Sequence, residues 1–179
     1  MSEIERKQLS FQELNDSGEF VAVFSLFNTV DRDGDITLPT AIKDGISVPI
    51  SYWGHRHTDL PVGSGTIVND GATAKVVGKF FLDTEGGAET YKVVRNLGEL
   101  QQWSYGYIVR KSSFQTIDGT RVRVLEDLDI IEVSPVLAAA QPLTHTVAIK
   151  SAEFETPEEL KKFRAVLLKR ALAHGGNHV

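Results

Sequence analysis

WSYGYIVRKSSFQTIDGTRVRVLEDLDIIEVSPV, residues 103–136, is the stretch on which the fold turns. Asp118-Gly119 lies between two runs rich in β-branched and aromatic residues, the pattern of a tight hairpin. WSYGYIVRKSSF and TRVRVLEDLDIIEVSPV therefore read as two long strands. In the first, alternation sends Trp103 and Tyr105 to one face and Ser104, Gly106 and Ile108 to the other. A small hydroxyl beside a residue without a side chain clears space on that second face for something to approach. In the second strand, Glu132 is flanked by Ile131 and Val133, with Ile130 and Ser134 expected on its face. A carboxylate there is costly unless it is exposed or paired. Exposed, it is an edge charge that discourages aggregation; paired, it is an acceptor that holds a histidine in one tautomer.

The flanking sequence extends this β pattern. EFVAVFSLFN (19–28) is apolar on both alternating sets, as a strand buried on two faces would be. VPISYW (48–53), VGSGTIVN (62–69) and ATAKVVGKFFL (72–82) follow, the last two joined by an Asp70-Gly71 turn, and THTVAIK (144–150) adds a further strand. The period changes in GGAETYKVVRNLGEL (86–100), where Ala88, Tyr91, Val94 and Leu97 predict a helix ending near Gly98. A second helix is predicted from Thr156-Pro157-Glu158-Glu159, with Leu160, Phe163, Leu167 and Ala171 on one face. The fold class expected is α+β, mainly β: a closed or nearly closed antiparallel β-barrel flanked by helices, with a C-terminal helix. The expected organisation is a flexible segment over 1–18, a barrel domain over 19–150 and a helix and tail over 151–179.

Composition narrows the chemistry. The chain has 179 residues, 41% of them hydrophobic, which is enough for one domain with a real core. Its formal charge is -5 and its Lys and Arg residues are scattered, so no nucleic-acid partner is expected. With no cysteine, thiolate metal sites, disulfides and a cysteine nucleophile are excluded together, and a nucleophile must be an oxygen. MSEIERKQLS lacks the apolar region of a signal peptide and no segment is long and apolar enough for a membrane span, so a soluble chain with no membrane partner is expected.

Two short motifs compete for attention. DRDGD places Asp31, Asp33 and Asp35 as in a calcium-binding loop, but Ile36 and Ile42 stand where that loop needs glycine and glutamate, so an Asp- and Gly-rich turn is expected instead. In ISYWGHRHTDLPVGSG (50–65), His55-x-His57-x-Asp59 echoes the run of binuclear metallohydrolases, yet Leu60 occupies the next ligand position. The same segment also reads as a surface turn with incidental histidines, or as the source of a general base.

Taken together, FNTVDRDGDITLP (27–39), the Gly-His of YWGHRHTDLPVGSG (52–65), GKFFLDTEGG (78–87), LGELQQWSYGY (97–107) and DIIEVSPVL (129–137) resemble the bacteriophage prohead protease family, related in fold to herpesvirus assemblin. The likeness is to the branch found in phages of actinobacteria. It implies a serine endopeptidase with Ser104 as nucleophile, His55 as base and Glu132 as third member, Asp129 being the fallback; no role carries over to His57. It implies no cofactor and no metal. It further implies the phage major capsid protein and scaffold as substrates, self-cleavage, a homodimer, and action in the host cytoplasm inside the assembling procapsid. LAAAQPLT (137–144) is the candidate source of oxyanion amides. The contrasting class is a catalytically silent module that uses the same barrel to bind coat protein.

Overall fold

The structure is a computed structural model that describes residues 15–56 and 58–152. The predicted C-terminal helix and His57 lie outside the described residues, as does most of the N-terminal segment. The elements run β1 (Asn15–Leu26), β2 (Asp35–Thr37), a 3-10 turn (Pro39–Ala41), β3 (Ser47–Ile50), β4 (Gly63–Asn69), β5 (Thr73–Phe80), α1 (Glu85–Leu97), a second 3-10 turn (Gly98–Leu100), β6 (Gln102–Ile117), β7 (Thr120–Val136) and β8 (His145–Ala152). Among the described residues no helix is long and apolar enough to cross a membrane.

The β6–β7 hairpin forms as the Asp-Gly signal predicts: Asp118 and Gly119 both adopt positive φ, 49° and 78°, and Ile117 pairs with Thr120. β7 is the spine of the sheet, whose order is β2-β7-β3-β4-β5-β1-β8 with β6 on the other edge of β7. Both β2 and β3 run parallel to β7, β2 at Arg123–Leu125 and β3 at Val133. The expected all-antiparallel sheet is thus corrected to a mixed one. Short β2 was not predicted, because three residues leave no period to read; it forms where the DRDGD turn lays Ile36 and Thr37 along β7.

The expectation of a closed or nearly closed barrel is corrected as to closure: among the described residues the ladder does not close between β6 and β8. Side-chain bonds between β6 and residues 139–146 bridge that gap, and Gln141 ties the same segment to β1. Thr144 Oγ1 accepts from Trp103 N at 3.1 Å, and Thr146 Oγ1 accepts from Trp103 Nε1 at 2.9 Å. The Gln102 amide bridges Ala139 N and Pro142 O at 2.7 and 2.6 Å, while Gln141 clamps both backbone groups of Leu26. Hydroxyls and amides satisfy the donors that a further strand pair would otherwise satisfy, so closure of the ladder is not required.

Behind β6 lies the core. Trp103, with no solvent exposure, stacks on Phe20 at 4.9 Å between centroids, and Phe20 packs on Phe80 at 4.6 Å. Truncating an aromatic so placed costs about 3–5 kcal/mol. Both alternating sets of β1 are buried, as its composition predicts. Helix α1 starts at Thr84, whose Oγ1 accepts from Gly87 N, and stops at Gly98, whose φ of 53° suits glycine. Its Tyr91 and Val94 face the core. Gly87 is required by close approach, since a Cβ there would lie 2.1 Å from Phe81 O.

Candidate active site

His55 is carried by the loop that follows β3, and that loop is stapled to β7. Ser51 N donates to Val133 O at 2.9 Å and Gly54 N to Pro135 O at 3.0 Å. Gly54 and His55 then take positive φ of 73° and 61°, while Tyr52 and Arg56 form a bridge across the turn. Left-handed backbone is uncommon outside glycine, with histidine among the more tolerant residues, and here it turns the imidazole back over β7. Tyr52 Oη donates to Glu89 Oε2 at 3.0 Å, tying the loop to α1. That bond raises the Tyr52 phenol above its ordinary range.

Glu132 meets this imidazole. His55 Nδ1 lies 2.6 Å from Glu132 Oε1, and the carboxylate is only 3% exposed. Ser134 Oγ, fully buried, stands 3.1 Å from the same nitrogen. Ser104 pairs directly with Ser134 across the ribbon, and Gly106 with Glu132. Directly opposed residues share a face, so Ser104, Glu132 and Ser134 all project from the side away from Trp103. Ser104 itself is half-buried.

Two expectations are corrected here. Gly106 leaves space, but the Glu132 carboxylate occupies it: a Cβ on Gly106 would lie 2.7 Å from Oε1, the oxygen that meets His55. Ile130 does not share the face of Glu132. The register passes from Gly106↔Glu132 to Tyr107↔Ile130, leaving Ile131 as a bulge. The bulge shifts the alternation by one, so Leu128, Ile130 and Val133 all pack toward the core while Glu132 turns to the other side. The sequence signal is the apolar pair Ile130-Ile131, which fits no strict period of two.

Other candidates separate from this cluster. Asp129, the fallback acid, is ion-paired with Arg110. Asp59 pairs with Arg56 at 2.9 Å, which withdraws it from the His-x-His-x-Asp metal reading. In DRDGD, Asp31 Oδ1 accepts from Asp33 N and Asp35 N, both at 2.9 Å, and Asp35 pairs with Arg123. Burial outweighs those backbone bonds and raises the Asp31 carboxyl above its usual value. In the 137–144 segment, Ala139 N is taken by Gln102 Oε1 and Thr144 N by Gln141 O, so neither amide is free for an oxyanion. On the core side of the ribbon, Tyr105 Oη lies 3.1 Å from Thr37 Oγ1, and burial pushes the Tyr107 phenol to about 12.

Ser104 and buried Glu132 share one face of the ribbon, and the His55 loop brings an imidazole to Glu132; these are residue types that Ser-His-acid acyl transfer uses. Residues 5–163 match the family model described as caudovirus prohead serine protease, and the chain belongs to that family. It is 28% identical over 127 residues to the prohead protease of Enterobacteria phage HK97, a match covering 65% of this chain and 56% of that protein. The chain thus spans little more than half the length of that relative. No solved structure matches it.

Proposed function

We propose that this protein is a serine endopeptidase of phage capsid maturation, with Ser104 as nucleophile, His55 as general base and Glu132 as the acid that orients it. The observation that carries this reading is the 2.6 Å contact between His55 Nδ1 and buried Glu132 Oε1, with Ser104 on the same face of the ribbon. A carboxylate at that distance keeps the proton on Nδ1 and leaves Nε2 as the basic nitrogen. His55 then takes the Ser104 proton as Oγ attacks the scissile carbonyl, and returns it to the leaving amine. Water hydrolyses the acyl-enzyme by the same proton transfers in reverse. Glu132 stabilises the imidazolium formed in each half-reaction.

Family membership supports capsid and scaffold protein as substrates, cut inside the assembling procapsid in the host cytoplasm, together with self-cleavage. The reading includes a homodimer, with α1 as the candidate interface among the described residues. The test is co-expression of the phage coat and scaffold proteins with wild type or Ser104→Ala, read by intact mass. Processing with wild type and intact chains with the variant are expected. Equal processing by both would remove Ser104 from the mechanism; assembly without processing in either would favour the silent module.

A further inference from the structure

We propose that Ser134 is a positioning residue that fixes the His55 imidazole against Glu132, distinct from the nucleophile Ser104. The proposal rests on the serine-protease reading above. The structure places two serines opposite one another on one face of the ribbon, and the fully buried one contacts the histidine on its acid-facing nitrogen. That nitrogen carries a single proton. Glu132 Oε1 at 2.6 Å is the stronger acceptor, so the Ser134 hydroxyl at 3.1 Å shares the same N–H as the second acceptor of a three-centre bond.

Two features exclude Ser134 as a nucleophile. Its Oγ faces the ring nitrogen to which the mechanism above assigns the proton, which then cannot take its own, and its complete burial denies it a substrate carbonyl. Its placement suits a clamp instead. The peptide carbonyls of Val133 and Pro135, on either side of it, accept from Ser51 N and Gly54 N of the loop that carries His55. Histidine loop and Ser134 backbone therefore move as one unit. With oxygens from two successive outward positions of β7 on Nδ1, a ring flip breaks two contacts rather than one, and Nε2 keeps one direction.

The test uses the full chain and a fluorophosphonate probe. Serine Oγ attacks phosphorus, the P–O bond forms, the P–F bond breaks, fluoride leaves, and the hydroxyl proton passes to His55. Mass mapping gives the labelled residue, and the concentration dependence of labelling gives a maximal rate and an apparent KI. Wild type is expected to carry the label on Ser104, and Ser104→Ala none. Ser134→Ala is expected to lower the maximal rate about tenfold at unchanged KI, and Ser134→Thr, which keeps the hydroxyl, to restore most of it. Thermal melting reports folding of each variant; should the alanine variant not fold, Ser134→Cys, a weaker acceptor of similar volume, is expected to show the same loss of rate. A wild-type maximal rate in folded Ser134→Ala or Ser134→Cys, a change confined to KI, or a label on Ser134 would overturn the proposal. An unlabelled wild type would sink the protease reading itself, and this proposal with it.

Discussion

The middle of the β6–β7 ribbon and its near end, at Gln102 and Val136, both carry carboxylates on β7, yet only that end forms a candidate site. In the middle, Arg110 pairs with Asp129 and Lys111 with Glu126, each across the ribbon with its cation well exposed. Those cations and anions come from the hairpin itself, and exposed pairs of this kind contribute little. At the near end, Glu132 is buried and its partner His55 comes from a distant loop that β3 delivers along the other edge of β7. A buried carboxylate needs a partner, and breaking such a pair is expensive. The difference lies in burial and in where the partner originates, not in residue type.

That contrast is broken most severely by removing the near-end charge. Glu132→Gln keeps the shape but not the acceptor strength, and cleavage of coat protein is expected to fall by about 10^3–10^4-fold. A loss under tenfold in steady-state kinetics would mean that the carboxylate does not orient His55. Gly106→Ala attacks the same contact without touching a charged group. Its Cβ must displace Glu132 Oε1, so a loss of about 100-fold in cleavage rate is expected. Wild-type turnover in that variant would show that the carboxylate has another way to reach the histidine.

A buried pair remote from the site tests whether burial alone is sufficient. Asp70 accepts from Ala72 N, Thr73 N and Lys75 Nζ at 3.0, 2.6 and 2.5 Å. Burial acts to raise its carboxyl, but these donors outweigh burial and hold it below the ordinary 3.8. An acid whose folded value is depressed stabilises the fold at pH above its unfolded value. That stability is lost as pH falls through the lower, folded value, so it persists at pH 5 and disappears on the acid side of 3.8. Asp70→Asn is expected to cost about 2 kcal/mol in denaturant unfolding at neutral pH, to show a smaller deficit in strong acid, and to leave the Ser104 labelling rate unchanged. The smallest effect belongs to the middle of the ribbon: Asp129→Asn is expected to change stability by under about 0.5 kcal/mol and cleavage not at all. Loss of cleavage there would restore Asp129 as the acid.

Much of this was legible in the chain itself. Asp118-Gly119 between two apolar runs specifies the hairpin, the three-residue recurrence from Ala88 to Leu97 specifies α1, and the absence of cysteine leaves only an oxygen nucleophile. Alternation alone puts Trp103 and Ser104 on opposite faces, because the side-chain period of a strand is a local property of its backbone. Sheet order and closure are not local. That β2 and β3 lie parallel on β7, and that threonine and glutamine side chains span the gap between β6 and β8, depends on which distant segments satisfy which backbone groups. The face of Glu132 relative to Ile130 is not local either. A bulge at Ile131 exists only relative to the partner strand, and one unpaired residue moves every later side chain to the opposite side. The residue types of a serine hydrolase are thus present in the sequence, while their meeting at 2.6 Å is decided by tertiary pairing, since the loop of His55 and the strand of Glu132 are 77 residues apart in the chain.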